Sequence, residues 1–457
     1  MIYIRQLTYN FFVETLTGIE FSKTIFYKLS VLTNKPQKAE VLYMEYLFAE
    51  GNGRVITGKD KLFGVSQLAK AAIKEHGKEN VINASIGVLL DDDGNLIVLS
   101  SMIDVLKSMT PAEFAEYAPI AGTAEYLDVI KTIAFGNHMP EGYIEACATP
   151  GGTGSIRNTI SCYSKPGDYV LTSNWHWSPY NVIATEIGRK IATYNMFDEN
   201  DGFDFGSFEG KINELLDKQD GVVIIFNAPA HNPTGYTPSD ETWDEIINIL
   251  KRCARPGKKI TFFLDIAYID FSGDSDKARE FLPKFGNLPE NILTVVGFSA
   301  SKGFTFYGLR TGAMLCVTSN AEIAAEFKRV TSFASRGSWS NSARVGQVAL
   351  AKVFNDEALL AKVFEERKAY EDLLSARCKA FKEAADEAGL RTCPFNAGFF
   401  ITIPCENEDA VNEELFKSNI FCIAIGGGIR VAISSITEEA CRILPAKIAE
   451  AIKTING

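Results

Sequence analysis

The sequence predicts an α/β protein: a mostly parallel sheet sandwiched by helices, with a smaller α+β domain after it. Two observations carry that expectation. Four apolar runs, residues 221–226 (GVVIIF), 259–265 (KITFFLD), 292–298 (ILTVVGF) and 313–317 (AMLCV), lack the alternation of a half-exposed strand. Such runs need a sheet covered on both faces. Between the first two, Trp243, Ile246, Ile247 and Leu250 recur at i, i+3, i+4 and i+7 within residues 240–252, which marks an amphipathic helix. Strand, helix, strand in that order is a crossover unit, and crossovers align their strands in parallel.

After about residue 346 the pattern is helical for about forty residues (VGQVALAKVF to AFKEAADEAG), ended by Gly389 as a C-cap. Strand-like pieces at 398–403 and 429–433 and a terminal helix follow. This second region reads as a smaller domain joined to the sheet domain by that long helix.

Composition narrows the function classes. The chain has 457 residues, 46% hydrophobic and 23% charged, enough to bury one large core or two. Asp and Glu outnumber Lys and Arg by 57 to 46, a net charge of −11 that repels nucleic acid and anionic lipid alike. Neither is expected as a partner. Nine cysteines without a C-x-x-C pair fit reduced thiols in a cytoplasm, and four histidines without metal-ligand spacing give no metal site. No run approaches the ~20 apolar residues of a membrane span. In residues 1–43, Glu14, Glu20, Lys23 and Lys28 interrupt any secretory h-region. That stretch reads as an extension from an early start codon, or as an unusual arm.

The chemistry concentrates where strands end, which is where ligand sites of open α/β sheets lie. Residues 297–312 (GFSASKGFTFYGLRTG) begin at the end of an apolar run. Within them Lys302 stands among Ser299, Ser301, Phe304 and Phe306 with no adjacent carboxylate, a setting that lowers the pKa of an amine and frees its nucleophilic form. Residues 149–155 (TPGGTGS) precede a helical pattern that begins at Ile156, so their amides and the helix dipole form a phosphate cradle. They fit neither a dinucleotide fingerprint nor a P-loop. Residues 231–235 (HNPTG) follow the first run, and residues 265–268 (DIAY) place Asp265 at the end of the second. Taken singly, these are a turn with a helix cap, a turn initiator, and a carboxylate that serves as N-cap, metal ligand or partner of a ring N–H.

Together, in this order, these segments resemble the class I aminotransferases of the pyridoxal phosphate fold type I family, the branch that holds aspartate and aromatic amino acid aminotransferases. The resemblance runs from about Asn80 to the C-terminus and includes the eight-residue step from Lys302 to Arg310. It implies the fold type I large domain and pyridoxal 5′-phosphate as cofactor. Lys302 would hold the cofactor covalently and then move a proton between substrate and cofactor. Asp265 would pair with the ring nitrogen, and Tyr268 and Asn232 would bond the ring hydroxyl. Gly152, Thr153, Ser299, Ser301 and Arg310 would bind the phosphate. Trp177, with Trp175 as the nearby alternative, would stack on the ring. Three residues on, where the aspartate branch has a histidine behind the aspartate, this chain has Tyr180.

The same resemblance makes Tyr117 a residue that reaches the phosphate in a neighbouring subunit, so that a homodimer shares its active sites. Gly87 would flank the substrate, and Arg430 would clamp its α-carboxylate. Arg336, four residues before Ser340 and Asn341, has the spacing of an arginine from the partner subunit that binds the distal carboxylate of dicarboxylic substrates. The implied activity is ping-pong transfer of an amino group between an amino acid and a 2-oxo acid, with glutamate, 2-oxoglutarate, aspartate and aromatic compounds as candidate substrates. The domains would be an extension (1–43), a small domain (44–98 and 356–457) and a large cofactor-binding domain (99–355).

Rival readings remain open at this level. A β-lyase or decarboxylase uses the same fold and cofactor. Ser299-Ala-Ser-Lys302 also satisfies the S-x-x-K pattern of penicillin-binding serine hydrolases, although S-D-N and a distant K-T-G are missing. An effector domain of a transcription regulator would need a basic winged-helix region in front.

Overall fold

The computed structural model describes residues 48–54 and 61–457, so the reading of residues 1–43 as an extension lies outside the described residues. In chain order the elements are α1 (Lys61–His76), β1 (Ile82–Asn83), α2 (Ser100–Lys107), α3 (Pro111–Ala115), α4 (Ala124–Phe135), β2 (Tyr143–Pro150) and α5 (Gly151–Tyr163). Next come β3 (Tyr169–Ser173), α6 (Pro179–Glu186), β4 (Lys190–Tyr194), α7 (Phe205–Lys218), β5 (Gly221–Asn227), α8 (Asp240–Cys253), β6 (Lys259–Asp265) and β7 (Ile292–Ser299). The chain continues through α9 (Ala300–Gly303), β8 (Thr311–Thr318), α10 (Ala321–Ser338), α11 (Arg344–Phe354) and α12 (Glu357–Glu387). It ends with β9 (Phe400–Pro404), α13 (Glu408–Lys417), β10 (Ile420–Phe421), β11 (Ile423–Ile425), β12 (Gly428–Ala432) and α14 (Glu438–Asn456).

The central sheet has seven strands in the order β2-β8-β7-β6-β5-β3-β4. Only β8 runs against its neighbours, β2 and β7. The remaining pairs are parallel, as the crossover pattern predicts. The absence of alternation in the apolar runs has a direct cause in the packing. Val222, Ile224 and Phe226 of β5 enter one core with Phe262, Leu264 and Leu315, while Val223 and Ile225 enter the core on the other face with Phe263, Val295 and Met314. Because successive strand residues point to opposite faces, a sheet buried on both sides is apolar at every position. Helix α8 covers the first face through Trp243, Ile246, Ile247 and Leu250, and the Ser239 hydroxyl caps it by accepting from the Thr242 amide.

Two expectations about helices are corrected. The forty-residue helical stretch is two helices, because the chain breaks at Asn355 and the Asp356 carboxylate caps α12 by accepting from the Ala358 and Leu359 amides. An acidic cap starts a new helix in the middle of a periodic pattern. The glycine-rich segment is also not a loop ahead of a helix: α5 begins at Gly151, so the glycines form its first turn. Gly389 does follow the end of α12 in the left-handed region, at φ +62°.

Helix α12 spans two cores. Val363 packs with the sheet, whereas Leu374, Cys378, Ala380 and Phe381 pack with Leu89, Ile401, Ile429 and Leu444. The second core surrounds the antiparallel sheet β11-β12-β9.

Close approach of β8 to the start of α5 is what brings the glycine-rich turn to the sheet edge. A Cβ on Gly312 would lie 2.5 Å from the Gly151 carbonyl carbon and 2.7 Å from the Phe298 oxygen. Backbone atoms on both sides leave no flexible group to yield. Gly312→Ala should therefore lower stability by ~1–3 kcal/mol, seen as a lower denaturation midpoint at unchanged slope. An unchanged midpoint would show that the β8–α5 approach is looser than described.

Candidate active site

One cavity of about 360 Å³ opens at the C-terminal ends of β5, β6 and β7, which supply Asn227, Asp265 and Ser299. Its far wall is Arg430 of β12 with Phe400 of β9, and residues 85–87 close one side.

Lys302 lies on the single turn α9, which the Ser299 hydroxyl caps by accepting from the Ser301 amide. Its Nζ donates to the Gly87 carbonyl at 2.8 Å and sits 4.6 Å from the centre of the Tyr307 ring. The rings of Tyr268 and Phe399 are each 5.7 Å away. Burial, reinforced by the positive charges of Arg310 and Arg430, pushes the amine down to about 7. An amine so placed is neutral in a large fraction of molecules near neutral pH.

Asp265 ends β6 with its side chain buried. Oδ2 accepts from the Tyr180 hydroxyl at 2.7 Å and Oδ1 accepts from the Ala267 amide at 3.2 Å. Burial pushes this carboxyl up to about 6, against the Tyr180 and Ala267 bonds, which favour the ionised form. The hydroxyl of Tyr180 is held well above its ordinary range by burial and by the neighbouring carboxylate, so it remains a donor.

A short polar relay runs beside this pair. The Asn227 amide donates to the Asp265 carbonyl at 2.9 Å, and Asn227 Oδ1 accepts from the Asn232 amide N–H at 2.7 Å. Asn232 Nδ2 donates to the Tyr268 hydroxyl at 3.2 Å. Asn232 Oδ1 is buried without a hydrogen-bond partner, which leaves an acceptor facing the cavity's polar groups.

At the opposite end, Gly152 and Thr153 in the first turn of α5 meet Ser299, Ser301 and Arg310. Arg310 takes φ +53° and donates through Nη1 to the Ser301 hydroxyl at 3.3 Å and the Tyr307 carbonyl at 3.1 Å. A Cβ on Gly151, itself at φ +67°, would come within 2.6 Å of Arg310 Nη2, so only glycine admits the guanidinium over the helix N-terminus. Hydroxyls, a guanidinium and a helix N-terminus together have the chemistry to hold a dianionic group.

Arg430 is 6% exposed. Its Nη2 donates to the Ser85 carbonyl at 3.0 Å, its guanidinium lies 4.6 Å from the Phe400 ring centre, and its Nε has no partner. Even this guanidinium is pulled down to about 10 by burial. A buried guanidinium with an open N–H has the chemistry to hold a carboxylate.

The cavity thus gathers Lys302, Asp265, Tyr268, Asn232, Gly152, Thr153, Trp177, Ser299, Ser301, Arg310, Gly87 and Arg430. Trp175 lines an adjoining cavity, beside Gly426 and Ile425. Tyr117 and Arg336 stand outside. Tyr117 is 88% exposed, and Arg336, on the last turn of α10, donates to the Ser340 hydroxyl at 2.6 Å. Sequence reasoning overlooked Tyr307, Asn227, Ser85 and Phe400, and it overlooked Ser66 on α1. Tyr307 was within reach, being five residues past Lys302 in the same segment, and Asn227 is a polar residue ending an apolar strand. Ser66 carries no local signal.

With this geometry the chain matches other proteins. The model of the family described as aminotransferase class I and II matches residues 79–448. The mitochondrial aspartate aminotransferase of Xenopus tropicalis is 30% identical over 282 residues, which are 60% of this chain and 62% of that one. The aspartate aminotransferase of Haemophilus influenzae is 26% identical over 396 residues, 84% of this chain and 96% of its own length. Among solved structures, an aminotransferase from Anaerococcus prevotii superposes with a TM-score of 0.87 at 38% identity, covering 89% of this chain and all of the other. An aromatic-amino-acid aminotransferase from Burkholderia pseudomallei, covalently bound to pyridoxal phosphate, shares the fold at a TM-score of 0.72 and 22% identity, with 86% and 97% of the two chains covered. The chain belongs to the aminotransferase class I and II family, whose members move amino groups with pyridoxal phosphate.

Proposed function

We propose that this aminotransferase exchanges amino groups between amino acids and 2-oxo acids with glutamate and 2-oxoglutarate as one of its pairs, aspartate and aromatic amino acids being further donors. The observation that carries the reading is a buried amine with a depressed pKa and a buried carboxylate in one cavity, with a dianion cradle at one end and a carboxylate clamp on its far wall.

The residues fit pyridoxal phosphate. The cradle of Gly152, Thr153, Ser299, Ser301 and Arg310 suits the phosphate. The unpartnered Asn232 oxygen and the Tyr268 hydroxyl line the same cavity and would partner the cofactor's polar ring substituents. Lys302 would hold the group covalently, Asp265 would pair with its ring nitrogen, and Trp177 would cover its face. When bound, the group supplies an electron sink for the substrate Cα.

The remaining work belongs to the chain. With its amine near 7, Lys302 can take a proton and return it close to neutral pH without a large free-energy step. Asp265 is ionised above about pH 6, and the Tyr180 donor favours that state. Arg430 would orient the substrate through its α-carboxylate, with Gly87 flanking it. Phe400 and Tyr307 exclude water on that side, which strengthens each polar contact.

The exposed Tyr117 and Arg336 support a homodimer in which each serves the partner's site, Tyr117 at the phosphate and Arg336 at the distal substrate carboxylate. The division into a large domain (99–355) and a small one (44–98 and 356–457) draws support from a second core around β9, β11 and β12, to which Ala230, Tyr268 and Phe271 of the large domain also contribute. A cytoplasmic location agrees with nine free cysteines.

Three outcomes test this reading. Lys302→Ala should lose the visible absorbance of bound cofactor and reduce turnover by at least ~10²–10⁴-fold, and a variant that keeps the band would assign the tether to another lysine. Arg336→Ala should cost ~2–5 kcal/mol in kcat/KM for glutamate and aspartate while leaving alanine and phenylalanine nearly unchanged. An equal fall for all four would remove Arg336 from the substrate site. Tyr180→Phe deletes a donor to the ionised form of Asp265 and should raise its pKa above about 6. The sign follows from linkage: a carboxyl raised from 3.8 to about 6 in the folded chain stabilises it at low pH, and that stability fades as pH rises through the folded value. In cofactor-free protein, melting temperature against pH should therefore keep falling to a higher pH in Tyr180→Phe than in wild type.

A further inference from the structure

Beside the α9 turn lies a buried ion cluster whose members do not line the cavity. Asp270 belongs to a short 3₁₀ turn (Ile269–Phe271) and is 4% exposed. Its Oδ1 accepts from Arg279 Nη2 at 2.8 Å and pairs with Arg367 Nη1 at 3.2 Å. Arg367 Nε lies 3.5 Å from Glu371 Oε1, so two guanidinium groups face two carboxyl groups, and Lys368 Nζ lies 3.8 Å from the other Glu371 oxygen. Arg279 also donates to the Ile133 and Ala134 carbonyls in the last turn of α4 and to Ser275. Arg367, on α12, donates to the Ser275 hydroxyl and lies 4.7 Å from the Phe364 ring and 5.8 Å from the Phe304 ring. The second oxygen of Asp270 faces Gly303, and a Cβ added there would overlap it. The cluster therefore touches the residue directly after Lys302 and the ring of the residue after that.

Stability gives a poor account of such an arrangement. Burying two arginines and two acids carries a desolvation cost that apolar packing would avoid, and replacement of such clusters by hydrophobic residues is often neutral or stabilising. What the cluster has and apolar packing lacks is a set of directional contacts: Arg279 bonds Asp270 and the end of α4, while Arg367 of α12, whose Nε and Nη1 make no hydrogen bond, faces Asp270 by charge and bonds Ser275. We infer that Asp270, Arg279 and Arg367 are positioning residues that set the height of the α9 turn, with Gly303 resting on the Asp270 carboxylate, and so hold the Lys302 amine in its desolvated place. The influence is steric. The groups that face the amine are the Gly87 carbonyl, the rings of Tyr268, Tyr307 and Phe399, and the charges of Arg310 and Arg430, none of them in the cluster.

This inference rests on the reading of Lys302 as the residue that holds the cofactor, and the experiment separates the two. Arg367→Met leaves the Asp270–Arg279 pair in place, and Gly303→Ala presses on Asp270 from the other side. Full-length wild type and both variants, freed of cofactor, are treated with methyl acetimidate, which attacks only neutral amines, over a range of pH. Labelling of Lys302 is followed by peptide mass spectrometry, with and without added pyridoxal phosphate. Wild-type Lys302 should be half-reactive near about 7. Both variants should move that point upward by about one pH unit or more as water reaches the amine, and Arg367→Lys, which keeps the charge, should recover part of the shift. Melting temperatures that fall while the labelling midpoint stays at the wild-type value would overturn the positioning role and leave the cluster merely structural. Failure of pyridoxal phosphate to protect wild-type Lys302 would instead overturn the assignment of the cofactor residue on which the inference rests.

Discussion

Taking the Lys302 amine out of water is the constraint on which the rest of the site depends. Its Nζ keeps one strong partner, the Gly87 carbonyl, and is otherwise ringed by aromatic faces and distant cations, so the charged form is disfavoured and the amine falls to about 7. A lysine on a solvated helix face would stay charged and could not exchange protons near neutrality. The site must be dry at the lysine and polar at both ends. The parallel sheet provides this by ending three adjacent strands at one edge, and β9 and β12 roof the space.

The same low polarity raises the demand on every other buried polar group. Asp265 is held by a phenol, an amide and, through its carbonyl, Asn227, and these partners keep its pKa from rising further under burial. Tyrosine suits that role because its hydroxyl does not titrate in the range where the carboxyl does. Arg430 and Asn232 are left short by one hydrogen bond each. Both residues line the cavity, so a molecule bound there could complete them.

Helix α12 links this chemistry to the second core. Its first turns pack with the sheet and its later turns with β9 and β12, so the strand that carries Arg430 and the sheet whose β7 leads into Lys302 share one helix. The Asp356 cap fixes where that element begins.

Much of this was legible in the chain itself. Asp265 ends one apolar run, Lys302 follows shortly after another and Arg310 shortly precedes a third, because strand ends are where a polar chain must leave the core, and the apolar pattern reports burial directly. The doubly covered sheet followed from the same signal. Tertiary structure alone decided the partners. Tyr180 reaches Asp265 across 85 residues of sequence, Lys302 reaches Gly87 across 215, and Gly303 meets Asp270 because two turns happen to stack. Nothing local encodes those distances. The break at Asn355 and the start of α5 at Gly151 escaped periodicity for a related reason: a side-chain cap and a glycine turn act through a few local hydrogen bonds and dihedral angles, whereas an apolar pattern records only which face of an element is buried.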